Sequence, residues 1–388
     1  QAAQMLLGVF ASLCLYGFAR RLVSRPQWAP LIVLGLCLFW PTNLILETYV
    51  LSETFFLSIV ALGAFLWIVA IQHRSSWAFM LSGVALAFAA LVRLPGIYFC
   101  AAFGFLSIPR LARGFSRPLG AHDRATLFGP VAFTIPSAFV LLAYMGLYHA
   151  HYGVWAISSW AGVNRYCMVA HLIEPELAKP DERQVAFLRV RADGNQGGFS
   201  RVMWSDRSPI NLAESELGLD APARDRWAGT LAWRAVLRHP RAAAEIFVHN
   251  IIRAVTARDG LERQIKIEPR LNVYKSTLDV YGINALEWHT NHSFRWPWLV
   301  RLLVLQPLML FGLLASLMFA MRSRLRRNYQ IVVAANALLF ILAVSASIEP
   351  EQRHVHMVEN LAIVNAALLG GQCWSMIRAW GSRGGSKS

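Results

Sequence analysis

The chain has 388 residues, of which 56% are apolar and only 15% are charged, a composition that excludes an ordinary pair of soluble domains. Its net charge of +15 would indicate a nucleic-acid partner in a soluble protein. No nucleic acid is expected here, because most of the excess cations lie in short loops between apolar segments. Five cysteines, four of them in apolar stretches, predict neither a disulfide framework nor a zinc cluster.

Nine segments approach the roughly 17 to 25 mostly apolar residues that a membrane-spanning helix needs. They are 5–22, 28–46, 54–71, 77–92, 95–109, 127–148, 297–320, 329–348 and 357–377. Segments 77–92 and 95–109 meet at Arg93-Leu94-Pro95-Gly96, which predicts a tight helical hairpin, with one broken helix as the alternative. The predicted fold class is an all-α polytopic membrane protein of about nine transmembrane helices and one mostly helical extracytoplasmic domain.

The loop charges predict the orientation, because short cytoplasmic loops collect Lys and Arg. The loops on one side of this map hold fifteen cations and one acid, whereas the short loops and helix ends on the other side hold two cations and five acids. The arginine-rich side is therefore assigned to the cytoplasm, which places the large loop on the extracytoplasmic side. Gln1 then lies outside, and the chain is apolar almost from that residue, so one preceding helix is expected to be missing.

Four regions follow from this map. Residues 1–148 form a bundle of six spans, 149–296 the large extracytoplasmic domain, 297–380 a bundle of three spans, and 381–388 a disordered cytoplasmic tail. In the large domain Asp181 is expected to cap one helix, and Ser208-Pro209 to open another that ends near Gly218. Pro222 and Pro240 suit the first turns of two further helices. Residues 240–257 carry an apolar stripe that suits either the membrane surface or an ordinary packed helix.

Charged residues at outer helix ends are the candidates for chemistry, because charges at membrane depth are costly unless they are used. Glu47 and Glu53 lie close together in one short outer loop, although Glu53 also suits a first helical turn behind Ser52. Arg93 and Arg353 lie on the same outer side of this map. Each suits the binding of a lipid phosphate, an ion pair with an outer acid, or a side chain that extends to the lipid headgroups. Trp296 and Trp298 indicate an interfacial aromatic belt.

Three histidine pairs, His149/His151, His289/His292 and His354/His356, also map to the outer side. Imidazoles at this spacing are able to bind metal, although solvated histidines are commoner. No cofactor is assigned, and a divalent metal is the one left open. The phosphate-binding pattern GxxxxGK[ST] does not occur, so nothing indicates direct use of a nucleotide.

Four stretches together resemble the GT-C superfamily of integral-membrane glycosyltransferases, in particular the branch similar to bacterial protein mannosyltransferases and lipid A aminoarabinose transferases. They are the passage from Pro41 to Glu53 with its LSETFF ending, the run GVALAFAALVRLPG, the stretch LRHPRAAAEIF, and the turn EPEQRH. The resemblance covers nearly the whole chain and lies in the order of these loose motifs and their placement on one membrane face.

The resemblance implies transfer of a sugar from a polyprenyl-phosphate donor to a lipid, glycan or protein acceptor, by an inverting displacement. It matches Glu53 to an outer-loop acid, Arg353 to a basic residue before the last helix, and Arg93 to a recurring arginine. We therefore expect Glu53 and Glu47 to be catalytic, and Arg353, Arg93 and His354 to bind the donor phosphate. The family's main catalytic acid would lie upstream of Gln1.

Two other functions stay open. A flippase for a lipid-linked glycan would also need outer cations and buried acids, but such transporters often show repeated halves and compact loops. A non-catalytic membrane scaffold would tolerate replacement of the outer acids and arginines. The long loop of 148 residues favours the enzyme.

Overall fold

The computed structural model describes residues 2–22, 28–39, 52–114, 121–158, 160–195, 202–203, 205–256, 363–364 and 374. All regular structure in these residues is helical, and none of them forms a strand. Three helices are long and apolar enough to cross a membrane, namely Ala2–Leu22, Thr54–His73 and Phe128–Tyr152. The chain is therefore an all-α protein with membrane-spanning character in its described part.

Six helices correspond to the first six predicted segments. They are α1 (Ala2–Leu22), α2 (Trp28–Phe39), α3 (Ser52–His73), α4 (Ser76–Val92), α5 (Gly96–Gly114) and α6 (Ala121–Tyr152). The predicted segments 297–320 and 329–348 lie outside the described residues. Segment 357–377 is described only at Ile363, Val364 and Trp374, and the first two of these are buried in the same core as the helices.

Five further helices follow, α7 (Ala161–Val169), α8 (Glu182–Val190), α9 (Pro209–Leu217), α10 (Ala221–Arg238) and α11 (Pro240–Thr256), with short 3₁₀ turns between α7 and α9. The chain divides into two compact units at Leu141/Leu142, inside α6. The described residues up to Leu141 are called the first unit, and those from Leu142 to Thr256 the second unit.

Helices α1 and α3 run parallel in the first unit. Near their N-terminal ends Ser58 Oγ donates to the carbonyl oxygen of Leu7 at 2.9 Å. Near their C-terminal ends Arg21 Nη1 donates to Gln72 Oε1 at 2.9 Å, and Gln72 Nε2 donates back to the Arg21 carbonyl at 2.6 Å. Since the same two helices touch in the same order at both ends, an antiparallel arrangement is excluded.

Helix α4 returns antiparallel to α3 after a turn at Arg74-Ser75, where Ser75 Oγ accepts from the Ala78 N–H. Ser82 Oγ donates to the Gly63 carbonyl at 2.7 Å, which fixes how the two helices are aligned. Such a bond is favourable in an apolar interior, because a buried hydroxyl without a partner would be costly.

Helix α5 is parallel to α3, since Phe56 packs on Phe99 and Trp67 Nε1 donates to Ser107 Oγ at 3.1 Å further along both helices. The segments on either side of Arg93 therefore form the predicted hairpin, and the single broken helix is wrong. Helix α6 is in turn parallel to α4, because Gly129 lies against Phe79 and Gly83 lies against Phe133.

The alternating directions bring the C-terminal ends of α1, α3 and α5 to one end of the first unit. Those helix ends carry Arg20 and Arg21 on α1 and Arg110 and Arg113 on α5, and Arg74 directly follows α3. Arginines that the sequence map assigned to one side thus lie on helix ends that share one end of the first unit.

The outside of the first unit carries apolar stripes. Helix α6 exposes Phe128, Val131, Ile135 and Phe139, which recur at helical spacing. Helix α1 exposes Leu6, Val9, Phe10 and Leu13 in the same way. Because a soluble bundle would present polar side chains here, this surface indicates contact with lipid.

The second unit has its own apolar core, formed mainly by α7, α8 and α10. Gly162 and Gly229 let α7 and α10 approach closely, since a Cβ on Gly229 would lie 3.2 Å from the Gly162 Cα. The Tyr166 and Trp227 rings stack with centroids 5.8 Å apart, and the Tyr166 hydroxyl donates to Asn195 Oδ1 at 2.9 Å. Burial raises the pKa of the Tyr166 hydroxyl well above its ordinary value.

The predicted helix ends of the second unit are confirmed. Asp181 Oδ1 accepts from the Gln184 N–H at 3.1 Å and caps α8. Helix α9 begins at Pro209 and ends at Leu217, and Gly218 follows as its cap with a φ of 71°, which is favourable for glycine. Pro222 and Pro240 lie in the first turns of α10 and α11. On α11 Ala243 is buried, whereas Phe247, the next residue of the predicted stripe, is exposed.

Candidate functional site

Two of the predicted site residues lie at the same height along the helix axes, where α3 begins and α4 ends; this height is called their level. Gly63 and Ser82 are opposite each other through their 2.7 Å hydrogen bond. Glu53 lies ten residues before Gly63, and Val92 lies ten residues after Ser82. Because both helices rise about 1.5 Å per residue, the backbone of Glu53 is level with the turn that contains Arg93.

A second contact supports this placement independently. Phe56, in the first turn of α3 after Glu53, packs edge-on against Phe99 in the first turn of α5, with ring centroids 5.9 Å apart. Arg93 lies in the short turn immediately before α5. Three helix ends therefore meet near Glu53 and Arg93, at the opposite end of the unit from the arginine-rich loops.

The turn at Arg93 is short and well defined. The Arg93 N–H donates to the Ala89 carbonyl at 2.9 Å and ends α4, while the Arg93 carbonyl accepts from the Gly96 N–H at 2.8 Å. Arg93 itself is extended, with φ −148° and ψ 131°. Gly96 has no alternative here, because a Cβ would overlap the backbone of Ala89 and Ala90. The RLPG sequence thus reverses the chain and leaves the Arg93 side chain partly exposed at the helix end.

The other predicted site residues are not tested by this geometry. Glu47, Arg353 and His354 lie outside the described residues. Glu53 is the second residue of α3, and only its backbone is described. The structure therefore brings together the positions of Glu53 and Arg93 and leaves the remaining three as predictions.

The predicted histidine pairs include one in the described region. His149 stacks on Trp155 with ring centroids 4.9 Å apart and an interplanar angle of 17°, and His151 meets Tyr152 edge-on at 4.4 Å. Within the described ranges, no group of three or more His, Cys, Asp or Glu side chains is placed to hold a metal ion. His289, His292, His354 and His356 lie outside those ranges.

Asp225 is a half-buried acid that the sequence did not single out. Burial raises the pKa of this carboxyl, although the hydrogen bonds it accepts and the nearby Arg165 and Arg224 oppose the shift. Its Oδ1 accepts from the Gly162 N–H at 2.6 Å and from the Val163 N–H at 3.0 Å. A raised pKa often marks a catalytic acid, but here the carboxylate caps the start of α7, which explains its burial.

The stretch LRHPRAAAEIF also has a structural explanation. Arg238 Nη2 and His239 Nε2 lie 3.0 Å and 3.3 Å from the Glu174 carboxylate, which connects the end of α10 to the segment after α7. Pro240 then starts α11, and Arg241 pairs with Glu245 one turn further on. These residues stabilise the second unit, so their place in the family resemblance does not by itself indicate a catalytic role.

One functional feature was missed although its signal is present in the sequence. Tyr144, Tyr148 and Tyr152 recur every fourth residue at the end of α6, where they form a continuous row of rings. The sequence assigned an interfacial belt only to Trp296 and Trp298, which lie outside the described residues.

Comparison with known proteins found no match of any kind. No protein-family model, no curated protein and no solved structure matches this chain.

Proposed function

We propose that the chain is a polytopic membrane glycosyltransferase of the bacterial inner membrane. It moves a sugar, with inversion, from a polyprenyl-phosphate donor to a lipid, glycan or protein acceptor on the extracytoplasmic side. The observation that supports this most is the common level of Glu53 and Arg93, at the end of the first unit opposite the arginine-rich loops. An acid and a guanidinium at one outer helix end are the groups that this transfer needs.

The chemistry assigns a role to each group. A prenyl phosphate leaves readily when cations neutralise its charge, and Arg93 provides a guanidinium that binds phosphate oxygens in pairs. An acceptor hydroxyl or amine needs a base within hydrogen-bond reach, and Glu53 is proposed to assist the family's main catalytic acid in that role. Arg353, His354 and Glu47 are proposed to complete the site, with Arg353 and His354 on the donor phosphate and Glu47 assisting the acid or a divalent metal.

The direct test uses the full-length protein in liposomes with a set of polyprenyl-phosphate sugars. We expect Glu53→Gln to lower turnover on the order of 100-fold. We expect Arg93→Ala to raise the KM for the donor about tenfold, since charge-assisted hydrogen bonds are lost. Arg20→Ala is the matched control, because Arg20 is an exposed arginine at the opposite end of the same unit.

The outcomes separate the alternatives. Loss of either site variant from the membrane, with Arg20→Ala retained, would assign Glu53 or Arg93 a structural role. Wild-type protein that consumes no donor but moves a lipid-linked sugar across vesicles would be a flippase. Mass spectrometry of the polyprenyl-linked sugars and surface glycans that change on gene deletion would identify the sugar and the acceptor.

A further inference from the structure

The last turns of α6 carry aromatic rings on successive turns of the helix. The Tyr148 and Tyr152 rings have centroids 4.6 Å apart, and the Tyr144 and Tyr148 rings 6.3 Å apart. Residues four apart lie on the same face of a helix, so these three rings form one row along the axis.

The chain beyond α6 folds back and adds to this row. The Gly153 N–H donates to the His149 carbonyl at 2.7 Å, and Gly153 has a φ of 69°, which glycine adopts readily. Trp155 then stacks on His149 with centroids 4.9 Å apart. A Cβ added to Gly146 would lie 3.9 Å from the same indole, so Trp155 lies alongside the helix.

We call this set of rings the aromatic collar: Tyr144, Tyr148, His149, His151, Tyr152 and Trp155. It is not a buried core. Tyr152 is 48% exposed and Trp155 is 58% exposed. Each of these side chains has an apolar ring and a polar group, a combination that suits the boundary between hydrocarbon and water.

The position of the collar on α6 indicates what covers it. Directly before it, the same helix exposes Ile135, Phe139 and Leu142. Tyr148 lies twenty residues after Phe128, where the candidate membrane span begins. Twenty residues of helix rise about 30 Å, which is about the thickness of the hydrocarbon core of a bilayer.

We propose that the aromatic collar lies at the headgroup level of the bilayer and binds the interfacial region of phospholipids. The apolar face of α6 then lies in the hydrocarbon, and α6 leaves the hydrocarbon at the collar. This proposal rests on α6 crossing a membrane and is independent of any glycosyl transfer. A protein partner on the same rings is the competing occupant.

The test measures the depth of the Trp155 side chain in the bilayer. Full-length protein labelled with 5-fluorotryptophan is assembled into nanodiscs of phosphatidylethanolamine and phosphatidylglycerol. The fluorine resonance that disappears in Trp155→Phe is assigned to Trp155, and Trp233→Phe assigns a matched tryptophan that is 59% exposed on α10. Nitroxide lipids labelled either near the headgroup or at the end of the acyl chain, and a water-soluble gadolinium complex, are then added separately.

We expect the Trp155 resonance to lose most of its intensity with the headgroup-level nitroxide, less with the chain-end nitroxide, and less with gadolinium than Trp233 loses. Trp155 broadened mainly by gadolinium, or mainly by the chain-end nitroxide, would overturn the proposal. Protection from all three agents would show that a protein surface covers the collar and would overturn it too. If Trp155→Phe does not fold, 3-fluorotyrosine with Tyr152→Phe gives the same measurement one turn away.

Discussion

The two units of this chain have similar interiors and different exteriors. Both bury a contiguous set of aliphatic and aromatic side chains. The first unit also exposes apolar stripes, such as the face of α6 that includes Ile135 and Phe139. The second unit exposes apolar side chains as well, among them Trp233 and Leu237 on α10, but it adds five arginine–carboxylate pairs among its described residues, two of which connect Arg189 to Glu176 and Arg191 to Glu216.

This difference shows that the outside of a helical unit identifies its solvent better than the inside does. An apolar interior is common to soluble proteins, where burial removes apolar surface from water, and to membrane proteins, where helices associate through van der Waals packing and interhelical hydrogen bonds. Only lipid makes a continuous apolar exterior favourable, and only water makes exposed ion pairs and single exposed apolar residues unremarkable.

The most direct test of this difference is to introduce the same charged side chain on the outside of both units. Phe139 is 71% exposed on α6 and Val190 is 75% exposed at the end of α8. We expect Phe139→Lys to cost about 3 kcal/mol of membrane insertion, because the ammonium enters hydrocarbon. We expect Val190→Lys to stay within about 0.5 kcal/mol, because that site faces water. The fraction of full-length chain inserted into membranes measures both, and equal losses would contradict the two-solvent interpretation.

The second prediction concerns packing inside the first unit. A Cβ on Gly83 would overlap the Phe133 carbonyl oxygen, whereas nothing lies within 4 Å of a Cβ on Gly35. Gly83→Ala should therefore destabilise the bundle by about 2 kcal/mol, since α4 and α6 must separate. Gly35→Ala should be neutral or stabilise by up to about 1 kcal/mol, because alanine is the better helix former. Detergent titration of reconstituted protein measures both, and a reversed order would show that α4 and α6 do not meet at Gly83.

The third prediction concerns the buried cap of the second unit. Asp225→Ala removes the acceptor for the Gly162 and Val163 amides, and we expect it to destabilise the second unit by about 1 to 3 kcal/mol. Asp225→Asn keeps an oxygen acceptor and should cost less. Hydrogen exchange of the α7 amides in the full chain measures the effect. The exposed Asp206→Ala is the matched control, and an equal loss of protection in both alanine variants would contradict the cap.

The fourth prediction concerns the pH dependence of that cap. Burial raises the pKa of Asp225 above its ordinary value of 3.8. A raised carboxyl pKa means that the folded state holds its proton more tightly. The stability that this tighter proton binding contributes is therefore fully present below the pKa of Asp225 in the unfolded state, and it is lost as pH rises through the pKa in the folded state. Protection of α7 amides, corrected for intrinsic exchange, should show this loss in wild type and not in Asp225→Asn. An identical pH profile in both would exclude it.

The smallest expected effect belongs to an exposed ion pair. The hydrogen bond from Arg189 at 3.0 Å lowers the pKa of Glu176 below its ordinary value of 4.5. Its contribution is present above the unfolded pKa and is lost as pH falls through the folded pKa, opposite to Asp225. Because both side chains are largely exposed, Arg189→Ala should leave the unfolding of the second unit at neutral pH nearly unchanged. A large loss of stability would show that this surface is shielded from water.

The local features of the fold were predictable because they depend on neighbouring residues. The examples are Asp181 before a helical pattern, Pro209 in a first turn and Gly218 after a last turn. Each of them acts on backbone groups within a few residues of its own position, so the sequence alone predicts it. The hairpin at Arg93 is of the same kind, since Pro95 and Gly96 interrupt the helix locally.

The cap provided by Asp225 could not be predicted in the same way. Its amide partners at Gly162 and Val163 lie more than sixty residues earlier in the chain. No local pattern relates them, because the contact exists only after α7 and α10 have packed through Gly162 and Gly229. The candidate site lies between these cases: its residue types were predictable, but the common level of Glu53 and Arg93 depends on the alignment of α3 with α4.

By itself the sequence determined that this chain is helical with segments long and apolar enough to cross a membrane, and it predicted that the arginines separate by side, because hydrophobic length and loop charge are properties of composition along the chain. Only the tertiary structure decided which helices run parallel, which helix ends share a level, and that the arginine-bearing C-terminal ends of α1, α3 and α5 lie at one end of the first unit. These depend on close contacts such as Ser82 to Gly63 and Gly83 to Phe133. Interlocking side chains select one alignment out of several that the hydrophobic pattern alone would allow.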